Sequence, residues 1–133
     1  MRPTPEQLSG IDVFQSLSDA QLAAVATLSD LRTVEPGTRL LEEGAAPDGL
    51  FILLKGSAVA EARGRSFELA PGEVFGEMAL LGMSRRTATV TSTTRASVVV
   101  IHGSDFEVFE RDFPRAVAVL RQTMAERLAR SSD

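Results

Sequence analysis

Between Leu31 and His102 the chain is written in short apolar runs, each closed within about ten positions by a turn-forming pair. That grammar constrains the fold more than any other feature. Short strands punctuated by Gly and Pro specify a β sandwich or roll, whereas a helical bundle would space its apolar positions three and four apart. The runs are Leu31–Val34, Arg39–Glu42, Gly49–Lys55, Ala58–Ala62, Ser66–Leu69, Glu73–Phe75, Ala88–Thr93 and Ala96–His102. Pro36-Gly37, Glu43-Gly44, Lys55-Gly56, Arg63-Gly64 and Pro71-Gly72 supply turns. The two Pro-Gly pairs stand 35 residues apart and each leads into a strand, which hints at internal pairing in a jelly-roll-like topology. Pro-Gly is common in turns of every kind, so the spacing alone does not decide.

Helices bracket this region. Residues 1–10 hold two prolines and polar residues and read as a frayed lead-in. Ser18 and Gln21 stand at capping-box spacing and start a helix whose apolar face is Leu22, Val25, Ala26 and Leu28, ending near Leu28. Past His102, Ser104 and Glu107 repeat that spacing ahead of Phe106 and Phe109. Pro114 suits the first turn of a further helix, where its missing NH costs nothing. Ala116, Val119, Leu120, Thr123, Met124, Arg127 and Leu128 then follow a 3.6-residue period. The expected architecture is mainly β with flanking helices: an eight-stranded antiparallel β-roll, jelly-roll-like, with one helix before it and two after.

The 133 residues, 44% hydrophobic and 24% charged, suit one ordinary domain with a core of its own. With no cysteine, disulfides and thiolate metal sites are excluded. No apolar run nears the ~20 residues of a membrane span, and MRPTPEQLSG lacks the apolar core of a signal peptide, which makes cytoplasmic the default expectation. A net charge of −4 argues against direct nucleic-acid binding by this piece. His102 is the single histidine. It cannot build a metal site alone, which counts against the cupins, and no nucleophile–base pair of the Ser-His-Asp or Cys-His kind can be assembled. No metal and no enzyme are expected.

Most of the chain's chemistry is concentrated in Phe75–Val90, FGEMALLGMSRRTATV. Gly76 has no Cβ and lets the backbone approach a ligand closely. The NH groups of Met78 and Ala79 would open a short helix without intrahelical partners, a site for an anion. Glu77 can accept a hydrogen bond from a hydroxyl, and Arg86 can hold a phosphate through two parallel donors. A carboxylate for a hydroxyl, with a guanidinium and amides for a phosphate, fits a nucleotide-like ligand with one compact anionic group. A bland alternative is an exposed Glu and Arg worth ~1 kcal/mol at most.

This stretch resembles the phosphate-binding cassette of the cyclic nucleotide-binding domains, found in bacterial regulators such as catabolite activator protein, in cyclic-nucleotide-gated channels and in cyclic AMP-dependent kinases. Gly76, Glu77, Ala79, Leu80, Arg86, Thr87, Ala88 and Val90 fit its pattern, Phe-Gly-Glu through Arg-(Ser/Thr/Ala)-Ala-x-Val, without a gap. The likeness runs from about Val13 to Arg130. It implies a cyclic nucleotide as ligand, with Phe75, Gly76, Glu77, Met78, Ala79, Arg86, Thr87 and Ala88 at the site, Glu77 on the ribose 2′-hydroxyl and Arg86 on the cyclic phosphate. Strand alternation puts Arg85 and Arg86 on opposite faces, and the family spacing selects Arg86. Many members carry proline where Arg85 stands, a departure that removes no ligand contact. Thr87 admits cyclic GMP without requiring it, and the Ala- and Arg-rich, bacterial-looking composition favours cyclic AMP. Arg127 matches an arginine that stacks over the purine in some channel-type members, although a C-terminal helix arginine is as often simply solvated.

The organisation expected is a single domain over 1–133: lead-in 1–12, N-terminal helical segment 13–30, β-roll 31–102 with the cassette at 75–90, and C-terminal helices 103–130 acting as a lid. It is expected to be a sensor whose ligand draws the last helices towards the roll. Its effector domain or partner protein is not specified by the residues, and a homodimer is left open. One rival is a non-binding interaction module of the same fold, against which an intact Glu77/Arg86 pair argues. The other is the ligand-binding part of a DNA-binding regulator.

Overall fold

The computed structural model describes residues 1–42, 49–62, 64–75 and 88–131, with the backbone alone for Met124 and residues 127–131. Helix α1 spans Pro5–Ser9, a 3₁₀ turn Asp12–Phe14 and α2 Asp19–Leu28. Among the described residues eight strands follow: β1 Asp30–Val34, β2 Arg39–Leu41, β3 Gly49–Lys55, β4 Ala58–Ala62, β5 Arg65–Leu69, β6 Val74–Phe75, β7 Thr89–Ser92 and β8 Ala96–His102. Helices α3, Gly103–Asp112, and α4, Pro114–Ser131, close the chain. The expected β-roll with flanking helices is therefore the fold found, with strand ends within a residue or two of the sequence reading.

Two four-stranded antiparallel sheets face one another, one ordered β1-β8-β3-β6 and the other β2-β7-β4-β5. In β3 and β8 the apolar runs are continuous because both faces of their sheet are covered. Leu50 and Ile52 pair with Ile101 and Val99 and pack under the helices. Phe51 and Leu53 pair with Val100 and Val98 on the opposite face, where they meet Leu41, Ala58 and Val90 of the second sheet. The chain thus has two apolar layers, one inside the roll and one between sheet and helices. At the described turns, Gly37, Gly56, Gly64 and Gly72 all take positive φ; the Glu43-Gly44 turn lies outside the described residues.

The capping box expected at α2 is formed. Gln21 N donates to Ser18 Oγ at 3.2 Å, and Ser18 N donates to Gln21 Oε1 at 2.9 Å. Three expectations need correction. Residues 1–10 are not frayed: Thr4 and Gln7 form another capping box, Pro5 opens α1, and Leu8 is fully buried in the helical layer. Leu31 N also donates to Met1 O at 2.6 Å. Short range and two prolines hid a helix that is stable because Leu8 is anchored by tertiary packing. Second, Ser104 and Glu107 do not cap α3. His102 is still paired with Gly49 in the sheet, so it becomes the N-cap and the helix starts at Gly103, without a side-chain cap hydrogen bond. Third, the buried stripe of α4 is Ala116, Val117 and Leu120, whereas Val119 is 45% exposed. Both valines suit a 3.6-residue period, and tertiary contacts choose the rotation. Pro114 does stand at the first position of α4.

Candidate functional site

The segment carrying Glu77 and Arg86 is tethered at one end to each sheet. Upstream, β6 is an edge strand of the first sheet, with Phe75 paired to Phe51 and Val74 to Ile52. Leu53 N donates to Glu73 O at 3.0 Å and Gly72 N to Leu53 O at 2.7 Å, fixing the turn that leads into β6. Phe75 is 5% exposed and its ring stacks on Phe51, with centroids 5.4 Å apart and 20° between planes. Downstream, β7 lies between β2 and β4 in the second sheet, with Val90 paired to Leu41 and to Ala60. Val90 is buried and Ala88, just before the strand, is half-buried.

Of the site residues named from sequence, Phe75 and Ala88 are therefore placed, at the ends of that segment. Gly76, Glu77, Met78, Ala79, Arg86 and Thr87, together with Arg85, lie outside the described residues. Arg127 stands on the backbone of α4.

The register also brings forward residues that sequence reasoning missed. Ala58 packs in the interior layer and pairs with Leu69. By alternation, Ala60 and its partner Phe67 face the same way. Ala60 packs against the interior layer, yet Phe67 is 51% exposed. Further along, Ala62 pairs with Arg65 on that face. Among the described residues, alternate positions of this face of β4 are thus alanines, and Phe67 opposite Ala60 stays half-exposed. The signal was present in AVAEA followed by RSFEL, because alternate small residues opposite a phenylalanine on an inward face cannot complete a packed layer.

Glu61 points to the opposite face, where it pairs with Ser66 and Thr89, and around the end of the β4–β5 hairpin Arg39, Glu61, Ala62, Arg65, Ser66 and Thr89 border an open groove of about 420 Å³. Arg39 is bonded to Glu42 at 2.7 Å. Among the described residues, no three of His, Cys, Asp and Glu gather as a metal site would require. Among them, too, no helix is long and apolar enough to cross a membrane. What the described residues offer chemically is an apolar surface of Phe67 and Ala60 that a planar group could lie against.

Comparison with known proteins agrees with this fold. The family model of the cyclic nucleotide-binding domain matches residues 31–112, more than half of the chain. A cyclic nucleotide-gated potassium channel of Mesorhizobium japonicum is 33% identical over 120 residues, which cover 90% of this chain and 34% of the channel. The chain spans about a third of the length of the first curated relatives it matches. A candidate cyclic nucleotide-binding protein of Geobacter metallireducens superposes with a TM-score of 0.83 at 26% identity, covering 93% of this chain and 94% of that one. The regulatory domain of Toxoplasma gondii PKA, crystallised with cAMP, shares the fold with a TM-score of 0.78 at 19% identity, over 95% of this chain and 48% of that one. With its fold, its cassette pattern and the family match in agreement, this chain belongs to the cyclic nucleotide-binding domain family.

Proposed function

We propose that this domain is a sensor that binds cyclic AMP in preference to cyclic GMP and passes binding on through α4. The observation that supports it most is the half-exposed Phe67 on the inner face of the second sheet, whose strand β7 receives the segment bearing Glu77 and Arg86. A purine laid against that ring gains ~1–3 kcal/mol from stacking. Glu77 accepts a hydrogen bond from the ribose 2′-hydroxyl, and Arg86 holds the singly charged cyclic phosphate with the amides that follow Gly76, Met78 and Ala79 among them. Thr87 adds a hydroxyl beside the phosphate. Arg127, on α4, closes over the purine, worth ~0.5–2 kcal/mol as a cation over an aromatic face.

In this reading no chemistry is done on the nucleotide: the domain reports its concentration, holds no metal and works in the cytoplasm. The named relative is a channel gated by cyclic nucleotides, and the output here is assigned to whatever effector the domain is joined to or touches. Calorimetric titration of the domain with cyclic AMP and with cyclic GMP tests the reading. Saturable 1:1 binding, tighter for cyclic AMP, supports it. Absence of heat with both nucleotides would leave an interaction module of the same fold.

A further inference from the structure

Helix α3 packs on α2, β3, β8 and α4. A small apolar void lies between α2, α3, α4, the 3₁₀ turn and β8, lined by Phe14, Leu28, Ile101, Phe106, Phe109 and Leu120 among others. Close-packed interiors rarely leave such gaps, and contacts across them are weakened. Ala116, Val117 and Leu120 tie the first half of α4 down. Beyond them the described contacts turn polar.

At that point Arg121 reaches back from α4 to Glu110 of α3. Its Nη1 and Nη2 each donate to a different carboxylate oxygen, the second at 3.1 Å, in a two-pronged pair. The guanidinium also stands 6.0 Å from the centroid of the Phe106 ring on the same helix as Glu110. A planar fork bonded at both prongs fixes orientation as well as distance, which a lysine could not do. Both side chains are nearly two-thirds buried, at 39% and 37% exposure.

We propose that Arg121 and Glu110 form a latch that orders α4 before ligand arrives, making Arg121 a positioning residue for the lid. The ligand-dependent part of this rests on the functional reading above. A lid already ordered loses less conformational freedom on closing, so the latch favours binding without touching the nucleotide. Its contribution is that of a partly exposed pair, and salt weakens it.

Hydrogen exchange of the α4 amides and calorimetry with cyclic AMP test the latch, comparing wild type, Glu110→Gln and the charge swap Glu110→Arg with Arg121→Glu. The expected results are α4 exchange roughly two- to five-fold faster in Glu110→Gln without ligand, and cyclic AMP affinity lower by a similar factor. The swap restores both. Raising salt to about 1 M speeds exchange in wild type but not in Glu110→Gln. Unchanged α4 exchange in Glu110→Gln overturns the latch, as does tighter cyclic AMP binding, which would make the pair a brake. Should wild type fail to bind cyclic AMP, the functional reading falls, and the exchange data alone still decide whether the pair orders α4.

Discussion

Phe75 and Phe51 lie face to face across two antiparallel strands, and their stack anchors β6 immediately ahead of Gly76 in the chain. Both rings belong to the interior layer of the roll, so the stack is packing as well as placement. An aromatic pair adds ~0.5–1.5 kcal/mol beyond the area it buries. A double-mutant cycle of Phe75→Leu and Phe51→Leu, followed by urea unfolding, should return a coupling in that range. Strictly additive losses would show that the rings only fill space.

Phe67 should behave in the opposite way, because it faces inward yet is 51% exposed. Phe67→Ala should cost the fold less than ~1 kcal/mol and weaken cyclic AMP binding by about 1–2 kcal/mol through lost stacking. Thermal unfolding and calorimetry on the same samples separate the two. Full affinity in the alanine variant would place the purine elsewhere.

In the proposed site Glu77 meets the sugar. Wild type should prefer cyclic AMP to its 2′-deoxy analogue by about 1.5–3 kcal/mol, the range of a hydrogen bond to a charged group. In Glu77→Ala most of that preference should vanish. A wild type indifferent to the 2′-hydroxyl would take Glu77 out of the site.

Two turn glycines with similar backbones should respond differently. Gly56, at φ +90, has Arg95 O only 2.5 Å from where a Cβ would stand, whereas Gly64, at φ +76, has nothing within 4 Å. Gly64→Ala carries only the left-handed penalty of ~1–2 kcal/mol. Gly56→Ala adds a backbone clash and should lose about 2–4 kcal/mol in urea unfolding. Equal losses would mean that the β3–β4 turn shifts freely away from Arg95.

The roll was legible because strand alternation and turn glycines act over a few residues. β3, β4 and β8 begin and end where their apolar runs do. Features fixed by distant contacts were not. Whether Val117 or Val119 is buried depends on how α4 is rotated, which Ala116, Leu120 and the Arg121–Glu110 pair decide from α3 and the helical layer. The helix at Pro5–Ser9 depends on the burial of Leu8. The Ser104 cap was displaced by the pairing of His102 with Gly49. At the candidate site, the polar groups of the motif lie outside the described residues, and the structure places Phe75 in β6 of one sheet and Ala88 just before β7 of the other. Phe67 escaped notice because a phenylalanine in a strand reads as core until the register shows alanines opposite it.

The most direct test of the sensor reading is a calorimetric titration of cyclic AMP into wild type, Arg86→Ala and Arg85→Ala. In the proposed site Arg86 pairs with the cyclic phosphate, so Arg86→Ala, which would leave a desolvated charge unpaired, should weaken binding by about 2–4 kcal/mol. Arg85→Ala should bind like wild type, because in the proposed register alternation would turn it to the other face. Reversed effects would mean that the phosphate-binding register is off by one, and a wild type that takes up no cyclic nucleotide would contradict the sensor reading outright.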